Sequence, residues 1–443
     1  MSSPFAPAHL AGPLAGIALL FCAGHAFGAG FYLNESSASG LGNAFAGGAA
    51  AAEDATTLWS NVAGISRIEG RQAVGVIHLI TPSIKFRNGF SANASQQALG
   101  GEGGDAGGLN VVPNLYLAMP MSRDWSFGLG ISSPFGLVTE YEDGWIGRFQ
   151  AIKSDIMTLN VNPGASFRVA DNLALGAGLN FQRILATFTS QANYSAALLS
   201  GGIPVAPGLE SKVSVKGSDN AWGWNLGLLW DIDKSRRVGI HYRSSISYDV
   251  AGSVTFTNPG PVVPAALADS AVTAKVKLPP IFNVSYFGAV NDRWDVMADA
   301  QWMGWSTVKD LTFVRSNGAS AGTTLQSTPE NFKDVWKISV GANYHYDEQW
   351  MFRAGLAFDQ SPVEASYRTP RLPDGDRTWL TAGTQYKFDR KLQLDVGAGY
   401  VWVKNSSINK SGDPPNVLAN GLINGNYKDG NTIILSAQLA YSF

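Results

Sequence analysis

Alternation of apolar and polar residues at every second position is the feature that most constrains the fold of this chain. In the carboxyl-terminal segment IILSAQLAYSF, apolar residues at odd positions from Ile433 to Phe443 share one face, and polar residues such as Ser436 and Gln438 lie on the other. Similar alternation recurs in three other segments, residues 222–231, 336–345 and 392–402. Because successive side chains of a β-strand point to opposite faces, a period of two predicts strands. From about Gln72 onward we therefore expect an all-β fold.

Short polar turns and long loops alternate between the predicted strands. Six tight turns begin near residues 122, 170, 233, 291, 346 and 389, and seven long connections begin near residues 88, 139, 197, 257, 306, 361 and 405, which joins fourteen strands. Aromatic residues such as Trp125, Trp294 and Trp350 stand beside nearly all of the turns. This arrangement is typical of a 14-stranded antiparallel transmembrane β-barrel, here over residues 72–443. The alternative is a large soluble β-sandwich, whose strands also alternate.

The composition agrees with a surface that faces lipid. Charged residues make up 15% of the chain, against about 25% in a typical soluble domain. Outside the amino terminus, no apolar run approaches the roughly 18 residues that a membrane-spanning helix requires. The formal net charge of −2 indicates neither electrostatic steering of nucleic acid nor a polybasic membrane patch.

The first 71 residues lack the alternation and divide into two parts. The stretch LAGPLAGIALLFCAGHAFGAG has the apolar core of a signal peptide and small residues that allow cleavage after Gly28, so we predict that residues 1–28 are removed on export. Cys22, the only cysteine, lies in this part, and the mature chain should contain no disulfide. Residues 29–71 are rich in Ala and Gly and predict short helices, which the lumen of a barrel this wide has room to hold as a hatch.

No recognisable catalytic or cofactor-binding motif occurs in the chain. The patterns G-x-S-x-G, H-E-x-x-H and G-x-x-x-x-G-K-[ST] are all missing. His78, His241 and His345 fall on different predicted strands, where a single histidine is more often a polar lining residue than part of a triad. The acidic pair Asp374 and Asp376 belongs to PDGDR, which is ordinary turn chemistry. We therefore predict no enzyme, no cofactor and no metal, with an enzyme assembled inside the barrel as the alternative.

Two of the long loops are unusually apolar. They are LLSGGIPVAPGLE, from Leu198 to Glu210, and TNPGPVVPAALADS, from Thr257 to Ser270, and the polarity of the turns places both on the extracellular side. An exposed apolar patch usually marks an interaction site, so we predict a capture surface for a hydrophobic small molecule. The alternative is that the loops pack on each other or form a lid. The substrate-binding candidates are the apolar residues of the two loops: Leu198, Leu199, Ile203, Val205, Val262, Val263 and Leu267.

The segment ISSPFGL, from Ile131 to Leu137, interrupts the alternation in the third predicted strand. Proline has no amide hydrogen to donate to a neighbouring strand, and glycine readily adopts bulge geometry. We therefore expect this strand to kink inward and to open a lateral gate in the wall. The alternative is that the proline only ends the strand near the external rim. The candidate gate residues are Ser133, Pro134, Phe135 and Gly136.

Several longer stretches resemble one family of outer-membrane proteins. AGFYLNESSASGLGNAFAGGAAAAEDATTLWSNVAG, ADAQWMGWS and FRAGLAFDQSPVEASYRTPRLPDGDRTWLTAGTQYKF are similar to the hatch and barrel signatures of the FadL/TodX-type transporters of long-chain fatty acids and aromatic hydrocarbons. The resemblance implies a fourteen-stranded barrel plugged by the hatch, ligand capture by the third and fourth external loops, and sideways release into the membrane. It also assigns Phe31 and Asn61, Val62 and Ala63 to the hatch and gate, with the last three bracing the kinked strand. Where the family usually has Asn-Pro-Ala, this chain has a valine, which puts the turn of the hatch in question.

Together these features predict passive, gated uptake of long-chain fatty acids across the outer membrane of a Gram-negative bacterium by a monomeric, multi-pass protein. The alternatives are uptake of monoaromatic hydrocarbons and, in a different class, an outer-membrane enzyme or adhesin. Position and resemblance make Arg148, Lys153 and Arg183 the candidates to meet a ligand carboxylate. Their alternative role is to bind lipopolysaccharide phosphates or carboxylates of the lumen. The expected partners are the hydrophobic ligand, outer-membrane lipid and lipopolysaccharide, but not nucleic acid.

Overall fold

One antiparallel sheet closes into a fourteen-stranded barrel in the computed structural model, which describes residues 30–409 and 419–443. The strand segments are β1 (Gln72–Ser83), β2 (Phe86–Asn88), β3 (Asn110–Pro120), β4 (Trp125–Ser132), β5 (Gly136–Glu140), β6 (Lys153–Ala170), β7 (Leu173–Asn193), β8 (Glu210–Asp231), β9 (Arg236–Arg243), β10 (Ile246–Thr257), β11 (Ser270–Leu278), β12 (Ile281–Asn291), β13 (Trp294–Met303), β14 (Asp310–Arg315), β15 (Thr324–Pro329), β16 (Val335–His345), β17 (Trp350–Asp359), β18 (Arg377–Lys387), β19 (Leu392–Val403), β20 (Ser406–Asn409), β21 (Asn424–Tyr427) and β22 (Asn431–Ser442).

Nineteen of these segments form the wall, because five wall strands are each interrupted and consist of two segments. The interrupted strands are β4 with β5, β9 with β10, β11 with β12, β13 with β14 and β15 with β16. The first wall strand, β1, pairs with both β22 and β3, which closes the barrel. β2, β20 and β21 form a separate small sheet among the loops. Closure leaves no open edge, as a sheet surrounded by lipid requires.

The predicted alternation separates the two faces of the wall. On β22, Leu435 and Leu439 are 49% and 48% exposed on the outer face, whereas Gln438 is buried inside. Aromatic side chains meet on the outer face beside the tight turns, as Trp125 and Phe167 do with ring centroids 4.7 Å apart. The apolar outer face with its aromatic rim confirms the predicted transmembrane barrel.

Residues 30–68 pack largely buried against the inner face of the wall, and we refer to residues 30–71 as the hatch. They contain three short helices, α1 (Ala38–Gly42), α2 (Gly48–Ala51) and α3 (Thr57–Ser60), and a 3₁₀ helix at Val62–Arg67. The loops add α4 (Tyr194–Ser200) and 3₁₀ helices at Ala265–Leu267 and Trp305–Thr307. Among the described residues, no helix has the length and hydropathy needed to cross a membrane. The predicted signal peptide, residues 1–28 with Cys22, lies outside the described residues.

The hatch approaches the wall so closely that several wall positions, such as the two that follow, require glycine. A Cβ atom at Gly239 of β9 would lie 1.8 Å from the carbonyl oxygen of Ala49 in the hatch. One at Gly355 of β17 would lie 2.2 Å from the carbonyl carbon of Asn43. Both distances are far below van der Waals contact, so any side chain there would push the hatch away. Some of the glycines in the strands are therefore required because the backbone of the hatch contacts the backbone of the wall directly.

Charged and polar side chains of the wall bind the hatch. Arg353 on β17 forms ion pairs with Glu53 of the hatch at 2.8 Å and with Asp395 of β19 at 2.9 Å. Gln438 on β22 donates a hydrogen bond of 2.6 Å to Asp54 of the hatch. Buried charges are tolerated only when they are paired, so each of these contacts depends on both partners. The guanidinium of Arg353 therefore joins the hatch to two strands of the wall.

Replacing Arg353 by Met should weaken this junction. We expect Arg353→Met to lower the free energy of unfolding by about 3 kcal/mol, the lower end for a broken buried pair, because Asp395 and Glu53 lose their counter-charge. Unfolding in urea, followed by the difference in gel mobility between folded and heated protein, measures the change. A triple variant that adds Glu53→Gln and Asp395→Asn is the control and should recover most of the loss. An Arg353→Met protein as stable as the unmodified chain would contradict this role.

Candidate functional site

The two apolar loops lie side by side at the extracellular end of the barrel. The third loop begins with α4, and the fourth contains the 3₁₀ helix at Ala265–Leu267. The hydroxyl of Tyr194 donates to the carbonyl oxygen of Val262 at 2.6 Å, and Tyr194, Leu198 and Leu267 form a buried apolar cluster. The two loops therefore pack on each other, which is what the alternative to a capture surface predicted.

The loop residues predicted to bind substrate fall into two groups. Leu198 and Leu267 are buried where the loops meet, and Val205 packs against them. The other four remain on the surface, each at least 40% exposed: Leu199, Ile203, Val262 and Val263. The loops thus combine a packed apolar floor with an apolar surface open to solvent.

Beneath the loops, the upper interior of the barrel is apolar. Phe188 of β7 and Phe313 of β14 meet edge to face with ring centroids 5.8 Å apart. Val215 and Val254 belong to the same buried cluster. Phe256 packs against both this cluster and the loop cluster. The apolar surface of the loops therefore continues into the interior.

A third apolar cluster, which includes Phe31, Phe135 and Trp305, continues the apolar lining down to the hatch. Ile156 of β6 packs against both the Phe188 cluster and this lower one. At its end, Phe31 of the hatch lies 4.8 Å from Trp305 and 5.9 Å from Phe135, measured between ring centroids. These three rings close the apolar path at the break in the third wall strand.

The third wall strand is interrupted at the predicted position. β4 ends at Ser132 and β5 begins at Gly136, so the intervening residues make no strand ladder. β3 pairs with β4 from Leu115 to Pro120 but has no pairing with β5. Residues 111–114 of β3 therefore have no strand partner among the described residues on the side that faces the break. The wall is discontinuous in its hydrogen bonding at this point.

The first residues of the hatch occupy the break. The amide of Leu33 donates to the carbonyl of Pro134 at 2.8 Å, and the amide of Gly136 donates to the carbonyl of Phe31 at 2.9 Å. Tyr32 and Phe135 face each other between these two bonds as an antiparallel bridge. Residues 31–33 thus act as a short strand that fills the gap from inside.

Asn61, Val62 and Ala63 bind a different part of the wall. The side-chain amide of Asn61 donates to the carbonyls of Ala49 at 2.7 Å and Leu228 at 2.9 Å. Its oxygen accepts from the amide of Ala63 at 3.0 Å and caps the following 3₁₀ helix, which starts at Val62. The hydrogen bonds at the break come from Phe31 and Leu33, whereas Val62 shares only an apolar cluster with Phe135, so bracing of the kink by these residues stays a prediction. The turn itself forms without a proline, since the asparagine cap holds it.

The three basic candidates for a ligand carboxylate do not share a site. Arg148 is buried and uses its guanidinium for Glu210 at 2.8 Å and for three loop carbonyls. Lys153 lies at the rim and pairs with Glu140 at 3.1 Å. Arg183 has the same strand parity as exposed Phe181 and points outward, away from the lumen. The geometry therefore leaves these candidates without a common binding pocket.

Arg371, which sequence reasoning missed, lies beside the apolar path. Its guanidinium is 5.1 Å from the centre of the Phe188 ring. It donates to the carbonyl of Lys153 at 3.2 Å and to the hydroxyl of Ser154 at 3.1 Å, both of which are neutral partners. Burial lowers the pKa of Arg371 to about 10, and the charge of Glu330 opposes this shift only in part, so a ligand carboxylate at hydrogen-bond distance would relieve more of the cost. Arg371 lies within the stretch FRAGLAFDQSPVEASYRTPRLPDGDRTWLTAGTQYKF that resembles the family, but no residue pattern there assigns it to a ligand.

The interior beside the hatch is polar. A cavity of about 90 Å³ lies between the hatch and β9, β12 and β13, with Arg243, Asp299 and Gln301 in its lining. This volume suits a few water molecules rather than a hydrocarbon chain. Nearby in the hatch, Glu35 is buried, neither carboxylate oxygen accepts a hydrogen bond from another described residue, and burial raises its pKa to about 7. The apolar path, and not this cavity, is the candidate site.

Two of the three wall histidines have side-chain hydrogen-bond partners, whereas Nε2 of His241 has none among the described residues. His345 contacts Asp295 at 2.7 Å. His78 lies 2.6 Å from the hydroxyl of Ser436, but its other ring nitrogen has no hydrogen-bond partner among the described residues. A serine and histidine without a carboxylate behind them do not form a triad. Within residues 30–409 and 419–443, no cluster of three or more His, Cys, Asp or Glu side chains is arranged to hold a metal ion.

Known proteins are similar to this chain in sequence and in fold. The family described as outer membrane protein transport protein (OMPP1/FadL/TodX) matches residues 19–443. The chain is 30% identical to the long-chain fatty acid transport protein of Escherichia coli strain K12, over 89% of this chain and 92% of that protein. It is 29% identical to outer membrane protein P1 of Haemophilus influenzae, over 87% and 88% of the two chains.

Solved structures extend the likeness. A Pseudomonas aeruginosa FadL homologue superposes with a TM-score of 0.84 at 26% identity, over 94% of this chain and 100% of that one. The Ralstonia pickettii toluene transporter TbuX superposes with a TM-score of 0.67 at 19% identity, over 92% and 98%, and shows the shared fold alone. The relatives are transporters and channels rather than enzymes. The chain therefore belongs to the OMPP1/FadL/TodX family of outer-membrane transporters of hydrophobic compounds.

Proposed function

We propose that this protein takes up long-chain fatty acids, which it captures between the two apolar loops and releases sideways at the break in the third wall strand. The observation that carries the proposal is the continuous apolar lining from the loops, through the Phe188 cluster, to Phe31 and Phe135. Family membership supports uptake of hydrophobic compounds, and the relative from Escherichia coli is named for long-chain fatty acid transport.

Capture uses the exposed part of the two loops. Leu199 and Val263 are 41% and 54% exposed on neighbouring loops that the Tyr194 hydrogen bond holds together. An alkyl chain that covers this surface gains about 0.8 kcal/mol per buried methylene and needs no charged contact. The packed floor of Leu198 and Leu267 keeps the surface in place.

Release uses the gap that the hatch fills. In the closed state, residues 31–33 satisfy the carbonyl of Pro134 and the amide of Gly136, and the ring of Phe31 covers Phe135. Withdrawal of these residues breaks two backbone hydrogen bonds and uncovers a route from the apolar interior to the bilayer. The ligand itself offsets part of this cost, because its chain takes the place of the aromatic contacts.

Arg371 supports a carboxylate ligand rather than a plain hydrocarbon. It is a buried cation with neutral hydrogen-bond partners beside the ring of Phe188, in the upper part of the path. A carboxylate there would gain a charge-assisted hydrogen bond in a dry setting. Its alkyl chain would extend along the apolar lining below.

Charges on the exposed loop surface should impair capture. We expect Leu199→Asp with Val263→Asp to reduce uptake at low ligand concentration, because a carboxylate in an apolar groove must be desolvated when ligand binds. Both side chains are exposed, so folding should be unaffected. The control is Phe90→Asp with Leu109→Asp, which changes two exposed apolar residues of the first external loop, 87% and 64% exposed. Uptake of labelled oleate by cells with equal surface levels decides: equal rates in both double variants would mean that the loops only pack together.

Loss of the buried cation should affect only charged ligands. We expect Arg371→Met to weaken oleate binding by about tenfold, the size of a lost hydrogen bond to a charged group. Methyl oleate has the same chain without the charge and should bind equally to both proteins. Calorimetry on purified protein in detergent gives the two affinities, with toluene as a third ligand. Equal losses for oleate and its ester would assign Arg371 to loop structure alone, and toluene binding tighter than oleate in the unmodified protein would favour the hydrocarbon alternative.

A further inference from the structure

Four basic side chains lie near one another on the outer face of the barrel. Arg183 on β7 follows Leu179 and Phe181 on the outward parity, and no register shift interrupts the pairing of β7 with β8. Lys216 on β8 lies an even number of residues from Trp222, so its side chain also faces outward. Lys275 and Lys277 on β11 alternate with inward-facing residues such as buried Ala274. We refer to Arg183, Lys216, Lys275 and Lys277 as the outer basic patch.

The patch lies directly beyond the aromatic boundary of the wall. Phe181 and Trp222 are cross-strand partners with ring centroids 4.9 Å apart, and Arg183 follows on the extracellular side, opposite Asn220. The strands β7, β8, β10 and β11 are consecutive neighbours here, each about 4.8 Å from the next. Aromatic residues mark the interface between hydrocarbon and headgroups. The four cations therefore lie at the level of the lipid headgroups.

The cations of the patch are not neutralised by the protein. Lys216, Lys275 and Lys277 make no hydrogen bond or ion pair with their side chains among the described residues. Arg183 has only the neutral partners Asn220 at 3.3 Å and Ser218 at 3.4 Å. Three other lysines of the extracellular end differ from them, because each has a carboxylate partner: Lys85 at 3.6 Å, Lys153 at 3.1 Å and Lys404 at 3.5 Å.

Two carboxylates adjoin the patch. Asp249 faces outward opposite Lys275 without forming an ion pair with it. Asp219 already accepts hydrogen bonds from the amides of Asn220 and Asp249, both at 2.8 Å. The patch therefore keeps an excess of positive charge on a part of the wall whose lower neighbours are apolar.

We propose that the outer basic patch binds the phosphate groups of lipopolysaccharide, the phosphorylated glycolipid of the outer leaflet. Lysine and arginine form charge-assisted hydrogen bonds with phosphate oxygens. The acyl chains of the same molecule would lie against Leu179, Phe181 and Trp222 below the patch, all exposed on the outer face. Clustered cations beside an apolar membrane surface are the arrangement that recognises anionic lipid headgroups.

Removal of the four charges tests the proposal. Purified protein in mild detergent is titrated with bis-phosphorylated lipid A and with its dephosphorylated form, and bound lipid is counted by native mass spectrometry. We expect the phosphorylated form to bind the unmodified protein more tightly. The variant Arg183→Gln with Lys216→Gln, Lys275→Gln and Lys277→Gln should bind it at least about tenfold more weakly. Added salt should weaken binding to the unmodified protein.

A matched control removes the same charge from the opposite end of the barrel. Lys234→Gln with Lys387→Gln, Arg390→Gln and Lys391→Gln changes exposed residues at the tight turns and should leave lipid A binding unchanged. Equal binding by the patch and control variants, or equal binding of the two lipids to the unmodified protein, would overturn the proposal. If the patch variant fails to fold, Asp249→Asn decides instead: removal of the outward carboxylate should tighten lipid A binding, and no tightening would overturn the proposal.

Discussion

The structure depends on one constraint, that backbone groups facing lipid have no partners except other backbone groups. A closed antiparallel ladder meets it almost everywhere in this barrel. At residues 133–135 the third wall strand leaves the ladder, and the deficit is met from inside by Thr158 of β6, whose hydroxyl accepts from the amide of Phe135, and by the first hatch residues. The hatch and the wall are therefore not independent parts, because residues 31–33 complete the wall.

Different kinds of contact hold the two parts of the hatch inside the barrel. Most of the hatch is held by buried polar contacts such as the pair of Arg353 with Glu53, the cap of Asn61 and backbone approaches to wall glycines. Such contacts are costly to break, since each would leave a buried polar group without a partner. The segment at the break, residues 31–33, is held by two backbone hydrogen bonds, by aromatic contacts of Phe31 and Tyr32 and by hydrogen bonding of the Tyr32 side chain, but by no ion pair among the described residues. This difference favours movement of the amino-terminal segment alone while the remainder of the hatch stays in place.

Much of the fold could be predicted because it depends on local rules. Strand number follows from period-two alternation and turn spacing, and the break follows from the missing amide of Pro134. The basic residues show where local rules stop. The outward direction of Arg183 follows from its parity with Phe181 and could have been recognised, whereas Arg371 lies in an irregular loop whose side-chain directions depend on packing against Phe188. The hatch residues that hydrogen-bond at the break could not be predicted either, because only three-dimensional packing brings Leu33 to the carbonyl of Pro134 and Phe31 to the amide of Gly136.

The central claim, that release requires residues 31–33 to leave the break, can be tested by a reversible covalent lock. Tyr32 and Phe135 form an antiparallel bridge of the type without mutual hydrogen bonds, in which Cα atoms are about 4.5 Å apart, within the range that a disulfide spans. Cys22 is the only natural cysteine and lies in the predicted signal peptide, so Tyr32→Cys with Phe135→Cys introduces one pair. We predict that the oxidised protein still binds oleate, but that cells carrying it take up no more oleate than cells that lack the protein. Reduction of the disulfide should restore oleate uptake. Equal uptake by the oxidised and reduced forms would contradict the account.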